Sequence, residues 1–324
     1  MLNPKLMAVA QLILEDNYQS AEPIKTLTPL KGGEWSAAYR FCFDSQNLVI
    51  RLSHTPENFC RDKISAQYAS PNLPIPQIIK IGRYQDNYYA ISPFFSGEPL
   101  EKLSASDLEW TIPSLISMMD ALQSTNLDPV VGFGSITQAE SGAFHCWSEA
   151  LLDVYNDHPD NLTYGWRKAL SETPEIQQKF DRFYKRLSGL VQFCPDQKHL
   201  IHSDLLYQNL LVDNHRISAL LDWGCAMVGD SAYDLALFAF FEPWFPAFTK
   251  VGLVSKLQES YLNRSPDNRR NFDKRMTAYQ IHLTLGNIAY CAFSKRKKDL
   301  YDHINRLEEV LRKTDSRESI SVFR

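Results

Sequence analysis

The residues best suited to chemistry are concentrated in one stretch of the 324-residue chain, from His199 to Gly224. Most of this stretch is apolar, and Asp204, Asn209 and Asp222 interrupt it. An aspartate can accept a proton from a hydroxyl group, and carboxylate and amide oxygens are ligands that Mg²⁺ prefers. These residue types therefore predict a site that combines a general base with a divalent cation.

The spacing of these residues narrows the chemistry. His202, Asp204 and Asn209 follow the pattern H-x-D-x-x-x-x-N of a phosphoryl-transfer catalytic loop, and Asp222 begins an Asp-Trp-Gly at the position of a second metal motif. We therefore assign Asp204 as the base, Asn209 and Asp222 as magnesium ligands, and His202 as a brace of the loop. The alternative is that these residues simply occupy turns at strand ends, which Asp and Asn favour.

The elements that would position this loop have the order expected of a kinase. Short β-prone runs and one helical pattern alternate in the first part of the chain, at residues 25–30, 37–43, 47–52, 57–69 (helical), 77–84 and 87–91. Later patterns are mainly helical, apart from a hairpin over 209–221. The sequence thus predicts an α+β, bilobal protein-kinase-like fold. Its antiparallel small lobe would span residues 1–94 and bind nucleotide, and its mainly helical lobe would span 95–324.

Composition excludes several other classes of protein. A net charge of -4 and a pI near 6.1 give no basic field of the kind that binds nucleic acid. The longest apolar run, residues 235–241, is too short to cross a membrane. The six cysteines are scattered without a C-x-x-C pair, which predicts reduced thiols and a cytoplasmic location. Oligomeric state is left open by the sequence.

Further motifs lie around the predicted loop. They read Leu-Ile-His-Ser-Asp, Leu-Asp-Trp, Gly-Asp-Ser and Pro-Trp, with Val-Ile-Arg-Leu, Leu-Pro-Ile-Pro and Gly-Phe-Gly upstream. With them the chain resembles the aminoglycoside phosphotransferase family over most of its length. The resemblance implies ATP or GTP as donor, Mg²⁺ as cofactor, and a hydroxyl of an aminoglycoside-like acceptor of the hygromycin B type. It implies the same roles for Asp204, Asn209 and Asp222.

The small lobe departs from the wider kinase pattern at its phosphate-binding pair. Kinases place a strand lysine opposite a helix glutamate, whereas this chain has Arg51 on the strand and Asp62 on the helix. An arginine can bind phosphate in a bidentate manner, and its longer reach suits the shorter aspartate. The alternative is a plain surface salt bridge of low energetic value.

Other nucleotide contacts are predicted from their place in the lobe. Gly32 and Gly33 lie in the turn between the first two strands, where glycine lets backbone N–H groups approach phosphates, and Ser36 follows them. Such a Gly-Gly is also common in an ordinary hairpin turn. For the adenine we predict a slot walled by Ile50, with hinge backbone at Ser92 and Phe94.

Three residues are candidates for the acceptor pocket. Asp230 could face the pocket or cap the following helix. Glu242 and Trp244 combine a carboxylate with a large ring, which suits a cationic sugar, although both could also lie at an exposed helix terminus. Asp234 fits a capping box and is assigned to the start of a helix.

Two alternatives to an aminoglycoside kinase stay open at this stage. The first is a kinase of a metabolite hydroxyl, similar to choline or methylthioribose kinases. The second is a catalytically silent nucleotide-binding module, which the altered Arg51 and Asp62 pair would favour.

Overall fold

The computed structural model describes residues 4–18, 27–30, 36–136 and 141–321. The chain divides into two compact units. The first contains the described residues before 122 together with 204–226, and the second contains those from 122 to 203 and from 227 onward. Asp204, Asn209 and Asp222 therefore all belong to the first unit.

The first unit begins with a helix packed on a five-stranded sheet. The helix is α1 (Pro4–Asn17), and the strands are β1 (Thr28–Pro29), β2 (Ala37–Phe43), β3 (Gln46–Ser53), β4 (Lys80–Tyr84) and β5 (Asn87–Pro93). Every pair is antiparallel, in the order β1-β2-β3-β5-β4. Because side chains alternate along a strand, Leu48, Ile50 and Leu52 lie on one face, where they join a buried cluster with Ile13 and Leu14 of α1.

Helix α2 (Glu57–Ala66) follows β3, and its buried positions are Phe59, Asp62, Ser65 and Ala66. The spacing of three and four residues places them on one face of the helix. A buried aspartate on this face needs hydrogen-bond partners within the protein. Those partners lie in the candidate site.

A second, three-stranded sheet completes the first unit. It consists of β6 (Glu98–Pro99), β9 (Leu210–Asp213) and β10 (Arg216–Leu220) in the order β10-β9-β6, with α3 (Ala105–Ser124) between β6 and β9 in sequence. Strands β9 and β10 form a hairpin whose turn residues Asn214 and His215 both have positive φ, at 48° and 59°. Positive φ at both central positions gives the twist that joins two antiparallel strands. This hairpin carries Asn209 before its first strand and Asp222 after its second.

The second unit is mainly helical. Its helices are α4 (Trp147–Leu152), α5 (Trp166–Ser171), α6 (Pro174–Leu190), α7 (Ala232–Phe241), α8 (Pro246–Val251), α9 (Leu253–Arg264), α10 (Pro266–Arg269), α11 (Phe272–Phe293) and α12 (Lys297–Ser321). Helix α11 packs against α6, α7 and α12. A small antiparallel sheet has the order β7-β11-β8, formed by Gly134–Ser135, Met227–Gly229 and His199–Ile201.

The predicted fold class is confirmed. The order of strands and α2 in the small lobe matches the sequence prediction, and the hairpin lies where it was expected. The sheet of β7, β8 and β11 was not predicted, because two- and three-residue strands give too few positions for alternation to be recognised. The short helix α5 was not predicted either. The division into lobes at residue 94 stays a prediction. Within the described part of the chain, no helix is long and apolar enough to span a membrane.

Candidate active site

The predicted base and one predicted metal ligand are in direct contact. The side-chain amide of Asn209 donates to the backbone carbonyl of Asp204 at 2.8 Å and to its carboxylate at 3.0 Å. Tyr207 and Gln208 have left-handed backbones, with φ of 58° and 79°, so the chain turns back sharply between these two residues. A left-handed conformation costs a non-glycine residue about 1–3 kcal/mol, and such strain is typical of functional loops.

The hairpin brings the second predicted ligand to the same place. The amide of Leu221 donates to the carbonyl of Asn209 at 2.8 Å and closes the open end of the hairpin. Asp222 comes next, with a left-handed backbone (φ 59°, ψ 74°), and its carboxylate accepts the amide of Gly224 at 3.4 Å. The open end of the hairpin therefore holds Asn209 and Asp222 beside each other.

Helix α2 holds the segment that follows Asp222. The carboxylate of Asp62 accepts the backbone amide of Trp223 at 2.8 Å and forms an ion pair with the Arg51 guanidinium. Arg61, one residue earlier on α2, donates to the carbonyl of Gly224. Asp62 is only 4% exposed. The prediction of an Arg51 and Asp62 pair is thus confirmed as a contact between a half-buried arginine and a buried aspartate, which is not a plain surface salt bridge. The contact of Arg51 with phosphate stays a prediction.

The charges of this cluster influence one another. Burial and the nearby Asp62 carboxylate raise the pKa of Asp222, while Arg51 opposes that shift. Burial lowers the pKa of Arg51, but Asp62 and then Asp222 outweigh it, so that the pKa is raised overall. Solvent still reaches the Asp222 side chain. The Asp222 carboxylate is therefore open to a ligand, and a cation in the recess beside it would relieve the repulsion between the Asp222 and Asp62 carboxylates.

The thiol of Cys225 comes three residues after Asp222 in the chain. Burial, followed by the negative charges of Asp204 and Asp222, raises the pKa of Cys225 to about 12. Sequence reasoning did not single out Cys225, because a scattered cysteine without a paired motif carries no signal.

The oxygen atoms of this recess fit Mg²⁺. Asp222 offers a carboxylate. The side-chain nitrogen of Asn209 is hydrogen-bonded to Asp204, so the side-chain oxygen of Asn209 is the atom left for a cation. Across the part of the chain that the structure describes, no group of three His, Cys, Asp or Glu residues could hold a metal alone. Mg²⁺ suits such an incomplete protein shell, because it normally keeps water and phosphate oxygens among its ligands.

The structure corrects one of the predicted adenine contacts. Ile50 is fully buried in the cluster under α1, on the face of β3 opposite to Arg51, and so cannot wall a slot that Arg51 enters. Ser92 is paired with Val49 within the sheet, and the amide of Phe94 donates to the carbonyl of Asn47 at 2.9 Å. That amide is used within the small lobe, and adenine contacts with the backbone around Ser92 and Phe94 stay a prediction.

The predicted phosphate loop can be placed only in part. Gly32 and Gly33 lie outside the described residues. Ser36 is half-buried and comes immediately before β2. Its contact with phosphate stays a prediction.

Asp234, which the sequence assigns to the start of a helix, accepts hydrogen bonds from the two residues that precede Asp204. Asp234 accepts the backbone amides of His202 and Ser203 at 2.9 and 2.7 Å, whereas no side-chain hydrogen bond from Ser231 caps α7. Burial raises the pKa of Asp234 to about 7, and the two amide donors partly oppose the shift. His202 is completely buried, and its role as a brace stays a prediction. The match to a capping box gave no indication that Asp234 accepts the amides of His202 and Ser203.

Asp230 is a core residue and does not line an open acceptor pocket. It is fully buried, and its carboxylate accepts two hydrogen bonds from the Arg275 guanidinium, at 2.7 and 2.6 Å, and one from the Tyr279 hydroxyl at 2.5 Å. It also accepts the amide of Ala232 at 3.1 Å, as a helix-start residue does. Of the two predicted roles, the structural one is therefore correct.

Glu242 and Trp244 lie together after α7. The backbone amide of Val254, in the first turn of α9, donates to Glu242, and burial raises the pKa of this carboxyl. Glu242 thus has a structural partner. The Trp244 ring packs at 5.9 Å from Phe240 and 6.2 Å from His303, yet 39% of the residue is exposed. Of the three candidate residues for the acceptor pocket, Trp244 is the most exposed.

Comparison with known proteins identifies the family. The model of the phosphotransferase enzyme family known as APH matches residues 26–266. The chain belongs to this family. The predicted enzyme class, a phosphotransferase that acts on an alcohol group, is confirmed with it.

Individual relatives of this phosphotransferase extend the likeness. Hygromycin-B 4-O-kinase of Escherichia coli is 27% identical over 293 residues, which cover 89% of this chain and 80% of that enzyme. The crystal structure of aminoglycoside phosphotransferase APH(4)-Ia is 25% identical, with a TM-score of 0.81 over 95% of this chain and 98% of the other. Spectinomycin phosphotransferase APH(9)-Ia, solved with ADP and spectinomycin, shares the fold at 15% identity and a TM-score of 0.59, over 93% of each chain.

Proposed function

We propose that this phosphotransferase transfers the γ-phosphoryl group of ATP or GTP to a hydroxyl of an aminoglycoside, with hygromycin B as the first acceptor to test. The observation that carries the proposal is the contact of Asn209 with the Asp204 carboxylate, beside Asp222 at the end of the same hairpin. The named relative supplies the acceptor class, because it is a hygromycin-B kinase. A thermostable mutant of APH(4)-Ia with a matching fold was solved with AMP-PNP and hygromycin B.

Asp204 is assigned as the general base. Its carboxylate would orient the acceptor hydroxyl and take its proton while the hydroxyl oxygen forms a bond to the γ-phosphorus. The bond from that phosphorus to the bridging oxygen breaks, and the nucleoside diphosphate leaves. The amide of Asn209 holds the Asp204 carboxylate in one orientation, which lowers the entropy lost on reaching the reactive geometry.

The remaining polar residues of the recess would act on the donor. Asn209 and Asp222 would hold Mg²⁺, which neutralises phosphate charge and orients the γ-phosphoryl group when bound. Arg51 is fixed by Asp62 and has further N–H donors that can reach a phosphate oxygen. The altered pair thus retains the parts of a phosphate contact.

On the acceptor side, we propose a contact with Trp244. Trp244 offers an exposed aromatic face to a cationic amino sugar.

All six cysteines are free, which fits the cytoplasmic location predicted from the sequence.

The test is a product screen. The purified protein is incubated with Mg²⁺, either ATP or GTP, and a panel of hygromycin B, spectinomycin, other aminoglycosides, choline and methylthioribose, and products are detected by mass spectrometry. The Asp204→Asn protein, purified in parallel, controls for contaminating kinases. We expect a phosphorylated hygromycin B that is absent from the control.

The other outcomes separate the alternatives. Phosphorylation of only choline or methylthioribose would replace the acceptor and keep the reaction. Stabilisation by Mg-nucleotide without any product across the panel would point to a silent nucleotide-binding module and reject the proposal.

A further inference from the structure

The backbone conformation of Asp222 is unfavourable and needs support from neighbouring residues. Its φ of 59° is in the left-handed region, where a side chain with a Cβ is disfavoured. Within this turn, the Asp222 carboxylate accepts one long hydrogen bond, from the Gly224 amide at 3.4 Å. The direction of the Asp222 carboxylate therefore depends on what holds residues 223 and 224.

One face of α2 holds these two residues. Asp62 accepts the Trp223 amide at 2.8 Å, and the Arg61 guanidinium donates to the Gly224 carbonyl. Asn58, three residues before Arg61, lies so close that a Cβ on Gly224 would come within 2.8 Å of its side-chain Cγ. The N–H of residue 223 belongs to the peptide group that follows Asp222, and the carbonyl of residue 224 belongs to the peptide group before Cys225. The two hydrogen bonds therefore hold the peptide groups on both sides of residues 223 and 224.

The role of Arg61 in this arrangement is separate from that of Asp62. Asp62 also binds Arg51, so its substitution would disturb the phosphate contact and the turn at once. Arg61 is half-buried and reaches the carbonyl of Gly224 without taking part in that ion pair. A charged donor to a backbone carbonyl is stronger than a neutral one, and an arginine fixes direction better than a lysine.

We propose that Arg61 is a positioning residue that fixes the Asp222 carboxylate through the Gly224 carbonyl and so sets the affinity for the divalent cation. The role of the cation rests on the proposed function. Lys63, which is exposed on the same helix, provides a matched control with the same charge.

The experiment compares wild type, Arg61→Gln, Arg61→Lys and Lys63→Gln. Mn²⁺ binding is measured by electron paramagnetic resonance in the presence of a non-hydrolysable ATP analogue, and amide exchange is measured over residues 221–226 without ligands. Loss of an outer contact to a metal ligand typically weakens metal binding by about 10- to 100-fold. We expect a loss in that range for Arg61→Gln, a smaller one for Arg61→Lys, and none for Lys63→Gln. Exchange over 221–226 should rise in the same order.

Kinetics separate this inference from a general loss of structure. In active protein, Arg61→Gln should need more Mg²⁺ for half-maximal rate, and kcat should recover at saturating Mg²⁺ without a change in melting temperature. Mn²⁺ affinity in Arg61→Gln equal to that of wild type, or an equal loss in Lys63→Gln, would overturn the inference. If Arg61→Gln does not fold, Arg61→Lys decides by the same comparison with Lys63→Gln. If wild type binds Mn²⁺ with the analogue but phosphorylates no acceptor, the proposed function fails while the binding series still tests Arg61.

Discussion

The side-chain amide of Asn209 spans the backbone carbonyl and the carboxylate of Asp204, at 2.8 and 3.0 Å. This contact fixes the proposed base through a residue that we also propose as a ligand of the cation. Two functions therefore depend on one side chain.

Substitution of Asn209 by alanine should impair both functions. We expect kcat to fall by about 10²-fold, because the Asp204 carboxylate loses its orienting donor, and the Mg²⁺ requirement to rise. Initial rates over a Mg²⁺ titration check both effects. Asn214→Ala, in the exposed turn of the same hairpin, is the control. A lower kcat with an unchanged Mg²⁺ dependence would remove Asn209 from the metal ligands.

The brace from Asp234 should matter for turnover more than for nucleotide affinity. Asp234→Asn keeps the shape of the side chain, but only one of its two terminal atoms can accept an N–H, so either His202 or Ser203 loses its partner. We expect a decrease in kcat on the order of 10-fold or more, with little change in the KM for nucleotide. Steady-state kinetics beside Asp181→Asn, an exposed carboxylate on α6, would show the difference. An equal effect of both substitutions would contradict the assignment.

The buried pair of Asp230 and Arg275 makes a prediction about stability. Asp230→Asn leaves the Arg275 guanidinium, 1% exposed, without its counter-charge. Breaking a buried ion pair typically costs about 3–5 kcal/mol, whereas replacing both partners with apolar residues often restores stability. Chemical denaturation of Asp230→Asn and of the double variant Asp230→Leu, Arg275→Met tests this. An unfolding free energy for Asp230→Asn equal to that of wild type would mean that the pair is not formed in solution.

A histidine in the second unit should make the fold sensitive to acid. Burial lowers the pKa of His282 to about 4, and its Nδ1 lies 2.8 Å from the Tyr233 hydroxyl. Because the folded pKa lies below the unfolded value near 6.5, this residue contributes stability above pH 6.5 that is lost as the pH falls towards 4. His282→Gln should therefore lose less melting temperature than wild type between pH 7 and pH 4. Parallel slopes for the two proteins would show that His282 does not titrate in this way.

The parts of the site that lie close in sequence could be predicted well. Asp204 and Asn209 are separated by one loop, and Asp222 is separated from them by one hairpin, so local spacing alone brought the three into the correct relationship. The order of strands around α2 was also readable, because each run is long enough to show its period.

The errors involve residues whose partners are remote in sequence. Asp234 lies in the first turn of α7, as expected, but the amides that it accepts come about thirty residues earlier, so a local capping pattern could not reveal this second role. In Val49-Ile50-Arg51-Leu52 nearly every position is buried or half-buried, and the face of Ile50 could not be inferred until α1 was seen to cover it. The partners of Asp230 lie on α11, more than forty residues away.

The assignment of Asp204 as the base is tested most directly by comparing wild type with Asp204→Asn, at saturating Mg-ATP and hygromycin B, by mass-spectrometric measurement of the product with time. Nucleotide binding is measured in parallel by calorimetry. We expect turnover by Asp204→Asn to be lower by roughly 10²- to 10⁴-fold, with nucleotide affinity close to that of wild type. Formation of phosphorylated hygromycin B by Asp204→Asn at the wild-type rate would contradict the account.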